Sequence, residues 1–216
     1  MLGNKMKIML FGPQGAGKGT IGAMLSKKYD IPLLSAGQML RNAMKEGTEV
    51  GKIAEKYINK GNLVPPEVIT DVIKERIQKD DCKNGFILDG FPRNLKQAEL
   101  FGEKMNEIDF LIELDAPKKL LIHRLTGRRT CKNCGAVYNI HPDCDPNPKQ
   151  PNKCDKCGGE LYQREDDTEE SIKKRLNIYD SETKPILEKY KDRVKKIDAG
   201  DNPQAIFERV VQVLEE

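Results

Sequence analysis

Residues 8–20 read IMLFGPQGAGKGT, an apolar run followed by Gly12, Gly15, Gly17 and Gly19 within eight positions. Glycine weakens regular elements, so this density marks a backbone that must take up conformations closed to other residues. An apolar strand, then G-x-x-x-x-G-K, then a helical stretch (TIGAMLSKKY) is the order of a phosphate-binding loop. Successive N–H groups form an anion cradle, the helix N-terminus adds positive potential, and Lys18 reaches the β and γ phosphates. The loop therefore assigns Gly15, Ala16, Gly17, Lys18, Gly19 and Thr20 to a nucleoside triphosphate. Ser or Thr usually follows the lysine as a magnesium ligand. Here Gly19 does and Thr20 comes one later, which disfavours GTPases and motor-type ATPases.

The rest of the chain alternates. KIMLFG, IPLLS, GFILDGFP, IDFLIELD and RVKKIDA read as strands. Between them, GQMLRNAMKEG, EVGKIAEKYINKG, PPEVITDVIKERIQKDD, LKQAELFGEKM and PKKLLIHRLTGR read as helices. TEESIKKRLNIYDSETKPILEKY is expected as a single helix and PQAIFERVVQVLEE as the last one. Such alternation predicts an α/β fold, a parallel sheet covered on both faces. Residues 130–160 break the pattern with Pro142, Pro146, Pro148, Pro151 and Gly158-Gly159, and show little periodicity.

A length of 216 residues suits one domain with a small insert. Lys+Arg 37 and Asp+Glu 34 nearly cancel, so the net charge of +3 does not argue for nucleic acid. The start, MLGNKMK, leads into the first strand without an export signal, and no apolar run reaches the length of about 18 residues that would suggest a membrane span. A cytoplasmic location is the expectation, and there cysteines serve metals or chemistry before disulfides.

Cys131 and Cys134 form C-x2-C, Cys154 and Cys157 another, with 19 residues between the pairs. The spacing fits a tetrahedral four-thiolate site of the zinc-ribbon kind, against the alternatives of a redox pair or two disulfides. CKNCGAVY and CDKCGGEL resemble each other as two metal knuckles do. Four thiolates leave zinc no open position, so the site reads as structural: the insert is too poor in apolar residues to hold itself together. Cys144 and His141 are possible substitute ligands, and Cys82 a plain, partly buried thiol.

GPQGAGKGT, SAGQMLR, GFILDGFPR, LTGRR and YQREDDTEESIKKR occur in this order across nearly the whole chain. Together they resemble the nucleoside monophosphate kinases, and among them the adenylate kinase family of the type with a long lid. The resemblance implies a P-loop NTPase-type five-stranded parallel sheet in a core of residues 1–127 and 165–216. It implies a nucleoside-monophosphate-binding arm over 36–65 and a lid over 128–164. It further implies reversible phosphoryl transfer from MgATP to AMP, giving ADP twice over. Arg41 and Arg93 would hold the acceptor phosphate; Arg124 and Arg128 would face the donor; Arg164 and Arg175 would meet the transferring group. Val137 and Tyr138 match lid positions near the donor. Ala36, Asn62, Leu63, Val64, Gly90, Phe91 and Gln97 match the acceptor site, with Gln97 reading the base. Asp89, ending the strand FILD, is a carboxylate able to hold magnesium's waters.

Transfer to an already ionised phosphate needs positioning and charge neutralisation more than a base, and the chain is rich in arginine with only two histidines. Two alternatives remain. Ala36 stands where the family's adenylate members usually carry threonine, as in pyrimidine monophosphate kinases, so UMP or CMP is a second acceptor class. A nucleic-acid-binding ATPase would use the zinc ribbon, but the insert mixes Lys and Arg with Asp143, Asp145, Asp155 and Glu160 and offers few aromatics, so no nucleic-acid partner is expected. A monomer is the default.

Overall fold

A computed structural model describes residues 5–216. The reading of the opening MLGN as lacking an export segment lies outside the described residues. The chain runs β1 (Met6–Phe11), α1 (Lys18–Tyr29), β2 (Leu33–Ser35), α2 (Ala36–Glu46), α3 (Glu49–Ile58) and α4 (Pro66–Arg76). It continues through β3 (Gly85–Asp89), α5 (Leu95–Phe101), β4 (Phe110–Asp115) and α6 (Lys118–Gly127). The insert carries β5 (Arg128–Cys131), β6 (Val137–Asn139) and β7 (Leu161–Tyr162). The chain then closes with α7 (Glu169–Ile178), α8 (Lys184–Lys189), β8 (Val194–Asp198) and α9 (Pro203–Glu215).

The main sheet has five parallel strands in the order β2-β3-β1-β4-β8. Alternate residues of β1 feed two separate cores. Ile8 and Leu10 join Ile87, Ile112 and Leu114 with α1 and α9, whereas Met9 and Phe11 join Leu88, Leu34 and Leu111 with α4 and α5. Both faces are therefore dry, as the continuous apolar runs predict for a parallel sheet. Each fully buried Leu or Ile in these layers contributes about 1.5–3 kcal/mol. Register places Leu10 opposite Asp89, so the carboxylate that ends β3 lies beside the loop that leaves β1. Ligands of open parallel sheets bind beyond these carboxyl ends, where the strand order reverses.

Close approach explains two glycines. Gly12 has φ +138°, and a Cβ there would stand 2.3 Å from the Leu114 carbonyl oxygen. A Cβ on Gly51 would meet the Ala43 carbonyl oxygen at 2.0 Å, so only glycine lets α3 pack this tightly on α2. Thr48 starts α3 by accepting the Gly51 N–H at 3.1 Å.

Three elements differ from expectation. The stretch 168–190 is not one helix: α7 passes into a π-helical turn over Tyr179–Thr183 before α8 resumes. Pro185, in the first turn of α8, has no N–H for a continuous ladder. The turn has a use, since the Thr183 hydroxyl donates to the Arg93 carbonyl at 2.7 Å and the Tyr179 hydroxyl to Glu113 at 3.1 Å. The helix expected over LKQAELFGEKM ends at Phe101, where Gly102 turns to φ +60°. The insert, which showed little periodicity, holds an antiparallel sheet in the order β6-β5-β7. Its strands are too short to reveal alternation in sequence.

Candidate active site

A cavity of about 1180 Å³ opens between the glycine loop, the α2–α3 hairpin and the insert. Gly15, Gly17, Lys18, Gly19 and Thr20 border it at the carboxyl end of β1. Lys18 folds back over its own loop, its Nζ donating to the Gly12 carbonyl at 2.6 Å and the Pro13 carbonyl at 2.8 Å. Withdrawal from water pulls its ammonium down to about 8; Asp89 opposes the shift, and Arg93, Arg128 and Arg175 add to it. Ala16 does not reach the cavity: it is fully buried beneath the loop, and its N–H is taken by the Pro13 carbonyl at 3.2 Å.

The expected arginines converge on the same space. Arg41 comes from α2, Arg93 from the segment after β3, Arg128 from the start of β5, Arg164 from the insert's return and Arg175 from α7, and each lines the cavity. Their elements are distant in sequence, and the doubly wound topology is what gathers them. Burial, reinforced by mutual repulsion, holds the Arg41 and Arg93 guanidiniums below their usual range. It takes Arg164 down to about 9, with Arg128 and Arg41 as the repelling neighbours. Such crowding of like charge is stable only where anions offset it.

Part of the offset is built in. Arg128 grips Asp167 with two N–H groups, Nε at 2.8 Å from Oδ2, and Arg175 reaches the same carboxylate at 2.9 Å and Asp166 at 2.8 Å. Asp167 is 1% exposed. Burial alone would push its carboxyl up, yet Arg128 and Arg175 outweigh this and hold it below the usual range. Arg164 is aimed differently, its Nε donating to the Thr130 hydroxyl at 2.9 Å. The Arg41 and Arg175 Nε atoms are buried without a protein acceptor among the described residues. Sequence reasoning missed Asp166, Asp167 and Thr130 as the groups that aim these arginines; the only signal was the acidic pair inside the segment YQREDD.

At the α2 end, Ala36, Asn62, Leu63, Val64, Gly90 and Gln97 line the cavity. Phe91 does not: it is fully buried, edge-on to Phe101 with ring centroids 5.3 Å apart. Gln97 is 2% exposed, and its Oε1 accepts the backbone N–H of Arg93 at 2.7 Å. An N–H must be met by the oxygen, so the amide's NH₂ is the end left for the cavity. Arg93 is braced further by its own Nε, which donates to the Gly90 carbonyl at 2.8 Å.

At the other end, Arg124 donates to the carbonyls of Ala199 at 2.8 Å and Asp201 at 2.9 Å and straps the loop after β8 to the glycine loop. Val137 and Tyr138 border this side. Val137 is exposed, but Tyr138 is 4% exposed and turns its hydroxyl to the Cys154 sulfur at 3.5 Å. Its hydroxyl thus braces the cysteine cluster while the residue borders the cavity.

The sulfurs of Cys131, Cys134, Cys154 and Cys157 all lie within 4.8 Å of one another. The nearest pairs, Cys131–Cys157 at 3.5 Å and Cys134–Cys154 at 3.6 Å, join one knuckle to the other and are non-bonded, with every thiol free. Four soft sulfurs at about the edge lengths of a tetrahedron fit zinc as a donor set. The Tyr138 hydroxyl and the backbone N–H groups of Cys157 and Lys156, against the effect of burial, pull the Cys154 thiol below its usual range, while Cys134, despite the Ala136 N–H, is pushed up by burial and its neighbouring sulfurs. The apolar core of the insert consists of little besides Cys131, Tyr138, Cys154 and Leu161.

A five-stranded parallel sheet, a glycine loop feeding Lys18 and a cavity ringed by arginines define a phosphate-binding-loop enzyme of the nucleotide kinase class. The family model for adenylate kinase matches residues 10–195. A protein named adenylate kinase from Syntrophobacter fumaroxidans is 49% identical over 97% of this chain and 100% of its own length. Those of the same name from Archaeoglobus fulgidus and Thermoanaerobacter pseudethanolicus are 45% and 42% identical, each over 97% of this chain and 98% of their own length. The chain belongs to the adenylate kinase family.

Proposed function

We propose that the protein transfers the γ-phosphoryl group of MgATP reversibly to AMP, yielding ADP from both nucleotides, and so keeps adenine nucleotides in balance. The observation that carries this reading is the convergence of Lys18, Arg41, Arg93, Arg128, Arg164 and Arg175 on one cavity between loop, hairpin and insert. The glycine loop and Lys18 hold the donor phosphates, with Arg124 and Arg128 on the same side. Arg41 and Arg93 fork onto the acceptor phosphate. Arg164 and Arg175 neutralise the charge of the group in flight, where positioned cations supply most of the rate enhancement. The acceptor oxygen is already ionised, so no side chain need remove a proton.

Magnesium arriving with ATP neutralises charge between the β and γ phosphates. Asp89 is a hard oxygen donor at the end of β3, beside Gly19, and suits magnesium's waters. The tetrathiolate of the insert would hold zinc as a closed structural site, cross-linking a lid (128–164) whose apolar core is too small to be stable alone. The hairpin (36–65) is the acceptor arm, and closing of lid and arm over the nucleotides excludes water, as lid closure does in adenylate kinases generally.

Adenine as acceptor base rests on the Gln97 amide. Its free NH₂ meets an acceptor such as adenine N1, whereas the N3–H of uracil would face it donor to donor. Cytosine offers an acceptor at N3, and Ala36, 2% exposed, supplies no hydroxyl, so CMP is the second reading. The nucleic-acid reading is not favoured: Arg128 turns inward to Asp167, Lys132 pairs with Glu160 at 2.7 Å, and Tyr138 is buried. Among the described residues no helix is long and apolar enough to cross a membrane. The free thiols suit a reducing cytoplasm, and a monomer suffices for the site, which one chain completes.

A coupled assay with AMP, CMP and UMP tests the reading. Turnover with AMP, blocked by a compound joining two adenosines through five phosphates, is expected. Turnover with CMP or UMP but not AMP would overturn it.

A further inference from the structure

We propose that His123, Asp143 and Cys144 form a second metal site, for Zn²⁺ or a divalent ion of similar softness, that ties the insert to α6. One ligand atom from each lies within 4.8 Å of the others. His123 Nε2 stands 3.0 and 2.9 Å from the two carboxylate oxygens of Asp143. Ligands of a zinc ion at about 2.0–2.3 Å sit roughly 3.3–3.8 Å apart, so the trio needs adjustments of about an ångström to close on one. Nitrogen, oxygen and sulfur together suit a borderline-soft ion, and three protein ligands leave a position open.

The neighbours fix this arrangement. His141 stacks on His123 with centroids 4.3 Å apart and planes 13° from parallel. It is itself held by its N–H to Asn139 Oδ1 at 3.0 Å and by its ring nitrogen 3.3 Å from the Thr126 hydroxyl. Asn147 donates to the carbonyls of Asn139 and His141 at 2.9 and 2.8 Å, and the Cys144 N–H closes a turn onto the His141 carbonyl at 3.1 Å. The loop that delivers Asp143 and Cys144 is thus set before any ion arrives, as supporting shells of metal sites are. An ion pair alone would explain His123 with Asp143. It does not account for Cys144, 7% exposed, whose sulfur lies within 4.8 Å of the ligand atoms of both. The ligands come from both sides of the junction, His123 from α6 and the others from the segment after β6. Asp143 and Cys144 also border the cavity, so the open position lies at its rim near Arg124.

The site is separable from the tetrathiolate, and the test keeps them apart. The whole protein is loaded with Zn²⁺, freed of loose metal and analysed for bound zinc; a second sample is loaded with Co²⁺ and its absorption recorded. The wild type is expected to hold a second equivalent beyond the tetrathiolate's. Cys144→Ser and His123→Gln should lose it, with affinity there weakened at least about tenfold, while the intense thiolate–cobalt band of the four-cysteine cluster stays. That band also reports that the variants are folded. A wild type with no second equivalent, or a Cys144→Ser variant that retains it, would overturn the proposal.

Discussion

Arg128 lays its guanidinium along the carboxylate of Asp167, Nε 2.8 Å from Oδ2 and a second N–H on Oδ1. Arg175 shares the same carboxylate from α7. The strand that opens the insert and the helix that follows it are therefore joined through one buried anion, and two cations of the cavity take their direction from it.

Asp167→Asn should expose that dependence. Removing one partner of a buried ion pair costs about 3–5 kcal/mol, since the other is left unpaired. Denaturant unfolding should show a loss of that order, and kcat should fall as Arg128 and Arg175 lose their aim. The pH dependence has a definite sign. The folded carboxyl lies below its unfolded value of 3.8, so its contribution is complete above that value and is lost as pH falls through the lowered one. The acid limb of the stability curve should flatten in the variant; an unchanged limb would count against this role.

Lys18 should govern the alkaline side of the kinetics. Its ammonium, pulled down to about 8, must be charged to receive phosphates. In the free enzyme, kcat/KM for the donor should decline above about pH 8, whereas bound phosphates raise the pKa and move the decline in kcat higher. Lys18→Met should lower kcat by about a hundredfold or more and erase that limb while the thermal melt is kept.

Gln97→Glu separates two jobs of one side chain. A carboxylate still accepts the Arg93 N–H but has no NH₂ to offer a base. KM for AMP should rise roughly tenfold, the worth of one hydrogen bond with its unpaired partner, with little loss of stability. Steady-state kinetics beside a melting curve check this, and an unaltered KM would remove Gln97 from base recognition.

Stripping metal from the four cysteines should loosen the insert first. Melting temperature should drop by about 2–4 °C per kcal/mol of metal-derived stability. Calorimetry with and without a strong chelator measures it, and coincident melts would contradict a structural metal there.

The sequence made plain whatever depends on short-range order. The glycine loop, the apolar strands and the C-x2-C pairs each lie within a dozen neighbours, and all stand where the pattern implied. Contacts between distant segments were hidden. Asp167 reads as one acid among several, and only the fold brings it under Arg128, 39 residues away. His123 and Asp143 lie 20 apart, and their meeting depends on the turn of the β6 loop. Pro185 was a visible signal for the interruption at Tyr179–Thr183, but what the π-helical turn does was hidden: it places the Thr183 hydroxyl on the Arg93 carbonyl, 90 residues away. Tyr138 borders the cavity, but the contact of its hydroxyl with Cys154 was hidden, since it depends on the second knuckle folding back.

The small apolar centre of the insert has a physiological corollary. With Cys131, Tyr138, Cys154 and Leu161 as nearly its whole interior, this segment leans on its sulfurs, whereas the main sheet has two complete cores of its own. If the four cysteines hold zinc as proposed, a cell starved of the ion would make chains with an intact phosphate cradle and a slack cover. Solvent would reach the triphosphate, and shortage of the ion would appear as wasted ATP before it appeared as missing protein.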